Sequence, residues 1–189
     1  DAITMDGSGN VTFPANATIS GNVSCSGTAT GFGGGKLVNY AQTFKTDVFS
    51  QDVSANNDSN DAISISYAAD SSSNKLLIIA SLNINSEEVG MAMATLYIGG
   101  SKSSAIGNSA GNRTRISAQT ASTSSDRTHS LAHQYLHSSP STSSTTYSYR
   151  LRHGAPVPKY MYLNARYSDS DSYRTGRATS TITIMEFAP

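Results

Sequence analysis

One cysteine, no tryptophan and a charged fraction of only 14% leave this 189-residue chain short of several common ways of stabilising a domain. A lone Cys25 forms no disulfide within the chain, so a disulfide-stapled secreted scaffold is excluded and the usage reads as that of a protein made in a reducing cytoplasm. Long apolar runs are missing too. The longest, Lys75 to Ala80 (KLLIIA), is of buried-strand length and far below the ~20 residues of a membrane span, so membrane insertion is not expected. The chain opens at Asp1, which leaves an upstream leader open. Net charge is absent as well, at a formal +0, but it hides an asymmetry. The first hundred residues hold three lysines against nine acids, and the remainder ten bases against four acids. Complementary pairing within and between subunits is the plainer reading of that split, and an Arg-rich patch for an anionic glycan or phosphate the sharper one.

What fills the chain is Ser, Thr, Asn, Gly and Ala, with tyrosine as the main aromatic, a composition suited to β-structure with polar, uncharged faces. Residues 9 to 32, GNVTFPANATISGNVSCSGTATGF, repeat Gly9-Asn10-Val11 as Gly21-Asn22-Val23 amid short apolar runs punctuated by turn residues. So thin a ribbon covers its apolar side chains only with neighbouring repeats or other copies of itself, which predicts an elongated, oligomeric β-stalk with Val11, Phe13, Ile19 and Val23 covered by other subunits. The run Gly31-Phe32-Gly33-Gly34-Gly35 marks a hinge, dividing a stalk over 1–35 from a folded domain over 36–189. It is no phosphate-binding loop, because Leu37 follows Lys36 where Ser or Thr is required.

Beyond the hinge, strand signals recur over Lys36–Thr46, Ala62–Ala68, Lys75–Asn83, Met91–Gly99, Asn112–Gln119, Ser130–His137, Thr145–Arg152, Lys159–Tyr167 and Thr179–Phe187. Alternation places Ile63, Ile65 and Tyr67 on one face of their strand, and Ile182 with Ile184 on one face of another. Many short strands separated by Ser/Asn/Asp/Gly loops predict an all-β fold, an antiparallel β-sandwich or jelly roll, with the topology left open.

Three blocks resemble the C-terminal domains of bacteriophage tail fibres and related virion appendages: the stalk repeats, the segment Tyr135 to Tyr147 (YLHSSPSTSSTTY), and the closing Ala178 to Phe187 (ATSTITIMEF). The resemblance implies a homotrimer, joined to other virion proteins at its N-terminal end. It implies a jelly-roll-like distal domain that attaches to a host surface polysaccharide or protein, in a protein made in the host cytoplasm and carried on the virion. Nucleic acid is not among the partners expected. A capsid-decorating or head-fibre structural protein of the same build is the alternative, and a glycan depolymerase spike another.

Ligand contacts are expected in Lys159 to Arg177 (KYMYLNARYSDSDSYRTGR), where Tyr160, Tyr162, Tyr167 and Tyr173 accompany Arg166, Arg174, Arg177, Asp169 and Asp171. Tyrosine rings lie against sugar faces while Arg and Asp hydrogen-bond hydroxyls. The plainer reading packs Tyr160 and Tyr162 against a neighbour and makes the Ser/Asp run a hairpin loop. A depolymerase would need paired carboxylates, for which Glu87, Glu88, Asp169 and Asp171 are the candidates. No Gly-X-Ser-X-Gly elbow is present, and no catalytic residue or cofactor is assigned. His129, His133 and His137 lie four apart. On a strand they share a face at about 13 Å from one to the next, too far to hold one ion. Related fibre tips hold metal on their three-fold axis through His-X-His pairs, which this chain lacks, and no metal is assigned.

Overall fold

The computed structural model describes residues 4–5, 11–12, 36–87, 89–122, 126–171 and 176–189. The chain divides into two compact units, Asp1–Gly34 and Gly35–Pro189. In the first, β1 (Thr4–Met5) and β2 (Val11–Thr12) pair antiparallel. The remaining stalk positions, Phe13, Ile19, Val23 and Cys25 among them, and the covering of Val11, lie outside the described residues.

The second unit is built of antiparallel strands in two sheets, with no helix among the described residues. The first sheet contains β3 (Leu37–Lys45), β13 (Ser180–Phe187), β6 (Lys75–Ser86), β12 (Lys159–Leu163) and β4 (Phe49–Val53) in that order, with β10 (His129–His137) on the other edge of β6. The second holds β5 (Asp61–Tyr67), β11 (Thr145–His153), β7 (Gly90–Ile98) and β8 (Ser101–Lys102), with β9 (Ala118–Ser122) also on β7. Every second side chain turns inward. Ile78, Leu82 and Ile84 of β6, Ile182 and Ile184 of β13 and Met161 of β12 join Leu96 of β7 and Tyr147, Tyr149 and Leu151 of β11 in one buried core. An antiparallel all-β unit of two sheets with a shared core is consistent with a β-sandwich.

Most expected strands form within a residue or two of their anticipated ends; β6 runs three residues past the expected Asn83 to Ser86, and other differences have local causes. Residues 112–117 do not pair as a strand. Asn112 to Arg115 are all exposed and offer no apolar side to bury, so only Ala118–Ser122 joins the sheet. The segment Lys159–Tyr167 stops being a strand at Leu163, because Asn164 adopts a φ of 66°. Strand β4 was missed altogether, since Phe49 and Val53 are separated by Ser, Gln and Asp. The turn between β7 and β8 is made by Gly99 and Gly100 with φ of 58° and 79°, a two-residue hairpin geometry that calls for glycine.

The alternation of β13 also carries Glu186 into the interior, where it has no exposed surface. Its carboxylate accepts hydrogen bonds from the Tyr67 hydroxyl at 2.6 Å, the Asn74 amide at 2.6 Å and the Asp70 backbone N–H at 2.8 Å. Burial disfavours the charge, but these donors outweigh it and hold Glu186 below the usual carboxylate range.

The outward face of the first sheet is apolar near the start of β3. Register sets Tyr40, Met185, Leu77 and Leu136 side by side across four strands, with Tyr40 69% and Phe44 65% exposed. A shallow groove of about 400 Å³, lined by Leu77, Leu136, Phe187 and Pro189, adjoins this row.

Candidate functional site

Strand β12 is anchored on both edges, since Met161 lies opposite Gln51 of β4 and Ser86 of β6. Met161 and Leu163 are fully buried beneath it, so Tyr160 and Tyr162 project outward from a fixed backbone. Their rings stack with centroids 6.1 Å apart, and Tyr167 meets Tyr162 edge-on, also at 6.1 Å. Burial, and then the nearby Glu87 charge, pushes the Tyr162 hydroxyl up to about 12. Tyr160 and Tyr167 remain 44% and 46% exposed.

The loop that follows is tied down at its root. Asn164, fully buried, donates to the carbonyls of Lys45 and Asp47 at 2.7 and 3.1 Å and accepts from the Ser180 hydroxyl at 2.6 Å. Its positive φ is among the least costly for asparagine of the non-glycine residues. Arg166 bonds the Ser168 carbonyl at 2.8 Å and the Ser170 hydroxyl at 3.2 Å, so it braces its own loop. Arg177 pairs with Asp169 at 2.5 Å, and Asp171 is exposed. Tyr173 and Arg174 lie outside the described residues. The structure therefore groups Tyr160, Tyr162 and Tyr167 as one platform, while Arg166, Asp169 and Arg177 shape the loop beside it.

This platform lies at one end of the first sheet. Leu37 is opposite Phe187, which is opposite Lys75 at the start of β6, whereas Tyr160 exchanges backbone contact with Glu87 just past the other end of β6. At about 3.3 Å per residue, Lys75 and Glu87 are roughly 40 Å apart.

A second constellation, which sequence reasoning missed, lies beside β4. Asp58, in the loop between β4 and β5, accepts from the Tyr97 hydroxyl at 2.6 Å and pairs with Lys102 at 2.9 Å and Arg152 at 3.8 Å. Arg150 lies over the Tyr97 ring at 4.1 Å and pairs with Asp61 at 2.7 Å; Arg152 also donates to Asn56 at 3.3 Å. Burial, with Asp58 beside it, pushes the Tyr97 hydroxyl up to about 12. Asn56, Asp58, Tyr97, Lys102, Arg150 and Arg152, with Gln51 and Asp52, line an open cleft of about 420 Å³, and Asp61 lies outside it. Its only signal in the sequence was the split of charge: Asp58 and Asp61 come from the acidic half, Lys102, Arg150 and Arg152 from the basic half.

Two of the acids weighed for glycan cleavage have partners within the fold, and Asp171 is exposed. Glu87 accepts from the Tyr160 N–H at 3.0 Å and lies 3.9 Å from Lys159, fixing the start of β12, and Asp169 is paired to Arg177. Glu88 lies outside the described residues. The histidines lie on strand β10, as their reading on a strand requires, and face inward: His133 shares a hydrogen bond with Tyr149 at 2.7 Å, and His137 one with Tyr147 at 3.4 Å. Among the described residues no group of three or more His, Cys, Asp or Glu is placed to hold a metal ion. No protein-family model matches the chain, and no curated protein matches it either.

Proposed function

We propose that this chain is a virion appendage protein, a bacteriophage tail or surface fibre, whose folded unit attaches to a glycan on the host cell. The observation that carries the reading is the exposed tyrosine platform Tyr160–Tyr162–Tyr167 on a strand clamped between two others, at the end of the sheet far from the residue that opens β3. Stacked, rigid tyrosines offer sugar-sized apolar faces with a polar edge and little entropy to lose on binding. The proposal includes a fibrous stalk over 1–35, a jelly-roll-like course of the two sheets and a homotrimer. For the oligomer, the support is the apolar row at the start of β3. Of the described outward positions on β3, β13, β6 and β10, only Lys75 carries a charge, so copies of this chain meet there without like-charge repulsion. Four strands about 4.8 Å apart and some nine residues long give on the order of 600 Å² per copy, near the ~800 Å² of a standard interface. Function is binding in this reading, and the acids near β12 serve structure.

The test is direct binding of labelled chain to host cells. Saturable binding is expected, abolished by periodate oxidation of cell-surface sugars and weakened at least about tenfold by Tyr160→Ala with Tyr162→Ala, two contacts of about 1 kcal/mol each. Excess unlabelled chain should slow virus adsorption. Cells that are infected yet bind no chain would remove the attachment role.

A further inference from the structure

The tyrosine platform and the Asp58 cleft are joined by one residue. Asp52 lies directly opposite Tyr160 in the β4–β12 pairing, on the same outward face, and it also lines the cleft. We infer that platform and cleft form one continuous saccharide-binding surface that turns around the β4 edge, with the cleft taking an uncharged, hydroxyl-rich sugar unit.

Three features of the cleft select that chemistry. Its walls are charge-balanced: Lys102, Arg150 and Arg152 face Asp52 and Asp58, and Arg150 is further neutralised by Asp61. A strongly anionic or cationic ligand therefore gains little net attraction. Donors and acceptors alternate within hydrogen-bond reach of one another, which suits a sugar hydroxyl, since each both donates and accepts. Asp58 fixes the Lys102 and Tyr97 head groups and lies beside that of Arg152, so the polar groups are pre-positioned, and the guanidinium groups keep N–H donors beyond those bonded to Asp61 and Asn56. The volume, about 420 Å³, is in the range of small-ligand sites. Neighbouring strands are about 4.8 Å apart, so a step from Tyr160 to Asp52 is on the scale of one sugar ring. Asp52 is exposed and its side chain makes no hydrogen bond or ion pair among the described residues, which leaves its carboxylate free for ligand hydroxyls.

This inference rests on the reading of the chain as a glycan binder, but its test is separate from that of attachment. The isotope-labelled full chain is titrated with maltotriose, cellotriose, chitotriose and mannotriose, and with glucuronate as an anionic probe, while amide signals are followed by NMR. At least one neutral trisaccharide should shift Asp52, Asn56 and Tyr97 together with Tyr160. Asp52→Ala, an exposed substitution that leaves the core intact, should weaken that binding about tenfold, as expected for hydrogen bonds to a charged acceptor. Silence of the cleft towards all four sugars, a response to glucuronate alone, or shifts at Tyr160 that Asp52→Ala leaves unchanged would each overturn the inference. Sugar binding at the cleft without binding to host cells would keep this site and remove the attachment role.

Discussion

Replacing Glu186 by alanine puts the buried polar centre of the core to a quantitative test. The substitution deletes the acceptor of three donors, the Tyr67 hydroxyl, the Asn74 amide and the Asp70 N–H. Tyr67 and Asn74 are 7% and 5% exposed and have no ready route to water, whereas Asp70 is exposed and rehydrates at little cost. Two stranded donors at about 1–3 kcal/mol each give a gross loss of about 2–6 kcal/mol. Relief of the carboxylate's own desolvation returns part of it, leaving about 2–4 kcal/mol. Glu186→Gln keeps a carbonyl oxygen for Asn74 and lets the Tyr67 hydroxyl turn to accept, so it should cost about half as much. Urea unfolding at fixed protein concentration reads both. Tyr67→Phe should be less costly in the Glu186→Ala background than alone, because the donor it removes is already stranded. A cost of Glu186→Ala under about 0.5 kcal/mol, or an equal cost of Tyr67→Phe in both backgrounds, would refute a stabilising role for the Glu186 network. The pH dependence has a definite sign. Because Glu186 is held below its ordinary carboxylate value, its contribution is complete above that value and is lost as pH falls through the lowered one, so wild type and Glu186→Gln should converge on acidification.

Three further outcomes are expected. Asn164→Ala leaves the Lys45 and Asp47 carbonyls and the Ser180 hydroxyl without their partner and puts a β-carbon at positive φ, so unfolding measurements should show a loss of about 2–4 kcal/mol. Burial lowers the basicity of His133 and His137, so protonation opposes folding. Stability should therefore fall as pH drops below about 6.5, and a His133→Gln, His137→Gln variant should show a shallower decline between pH 7 and 5 in thermal melts. Tyr40→Ser with Phe44→Ser, both on the exposed outward face of β3, should reduce the solution mass from that of the proposed oligomer towards that of one chain while the monomer's circular dichroism is kept.

Period-two patterning made much of this fold legible. Ile63, Ile182 and Ile184 are buried as their alternation required, and the Ser/Asn/Asp-rich stretches 56–60, 70–74 and 138–144 are loops. The opposed charge of the two halves also found its plainer meaning within one chain, in Asp58 with Lys102, Asp61 with Arg150 and Glu87 with Lys159. Other features had no local signal. The same alternation that buries Ile184 buries Glu186, and nothing near it in sequence shows that Tyr67 and Asn74 will meet it. Stacking of Tyr160 on Tyr162 follows from strand spacing, but the termination at Asn164 depends on carbonyls more than a hundred residues away. The Asp58 cleft draws on residues near 52–58, 97–102 and 150–152, so no single window of sequence contains it.

The pairing of β3 with β13 brings the first and last strands of the folded unit side by side, and the Ala188 N–H closes onto the Lys36 carbonyl at 2.9 Å. A ribosome delivers β3 first and must release β13 before that strand has its partner. Until then β3 exposes an unpaired backbone edge, and β6 lacks the neighbour along the edge that β13 occupies. The sheet therefore closes only after β13 has left the ribosome, as expected of folds dominated by long-range pairing. Loss of residues 180–189 would strip β13 from the middle of its sheet, leaving two open edges.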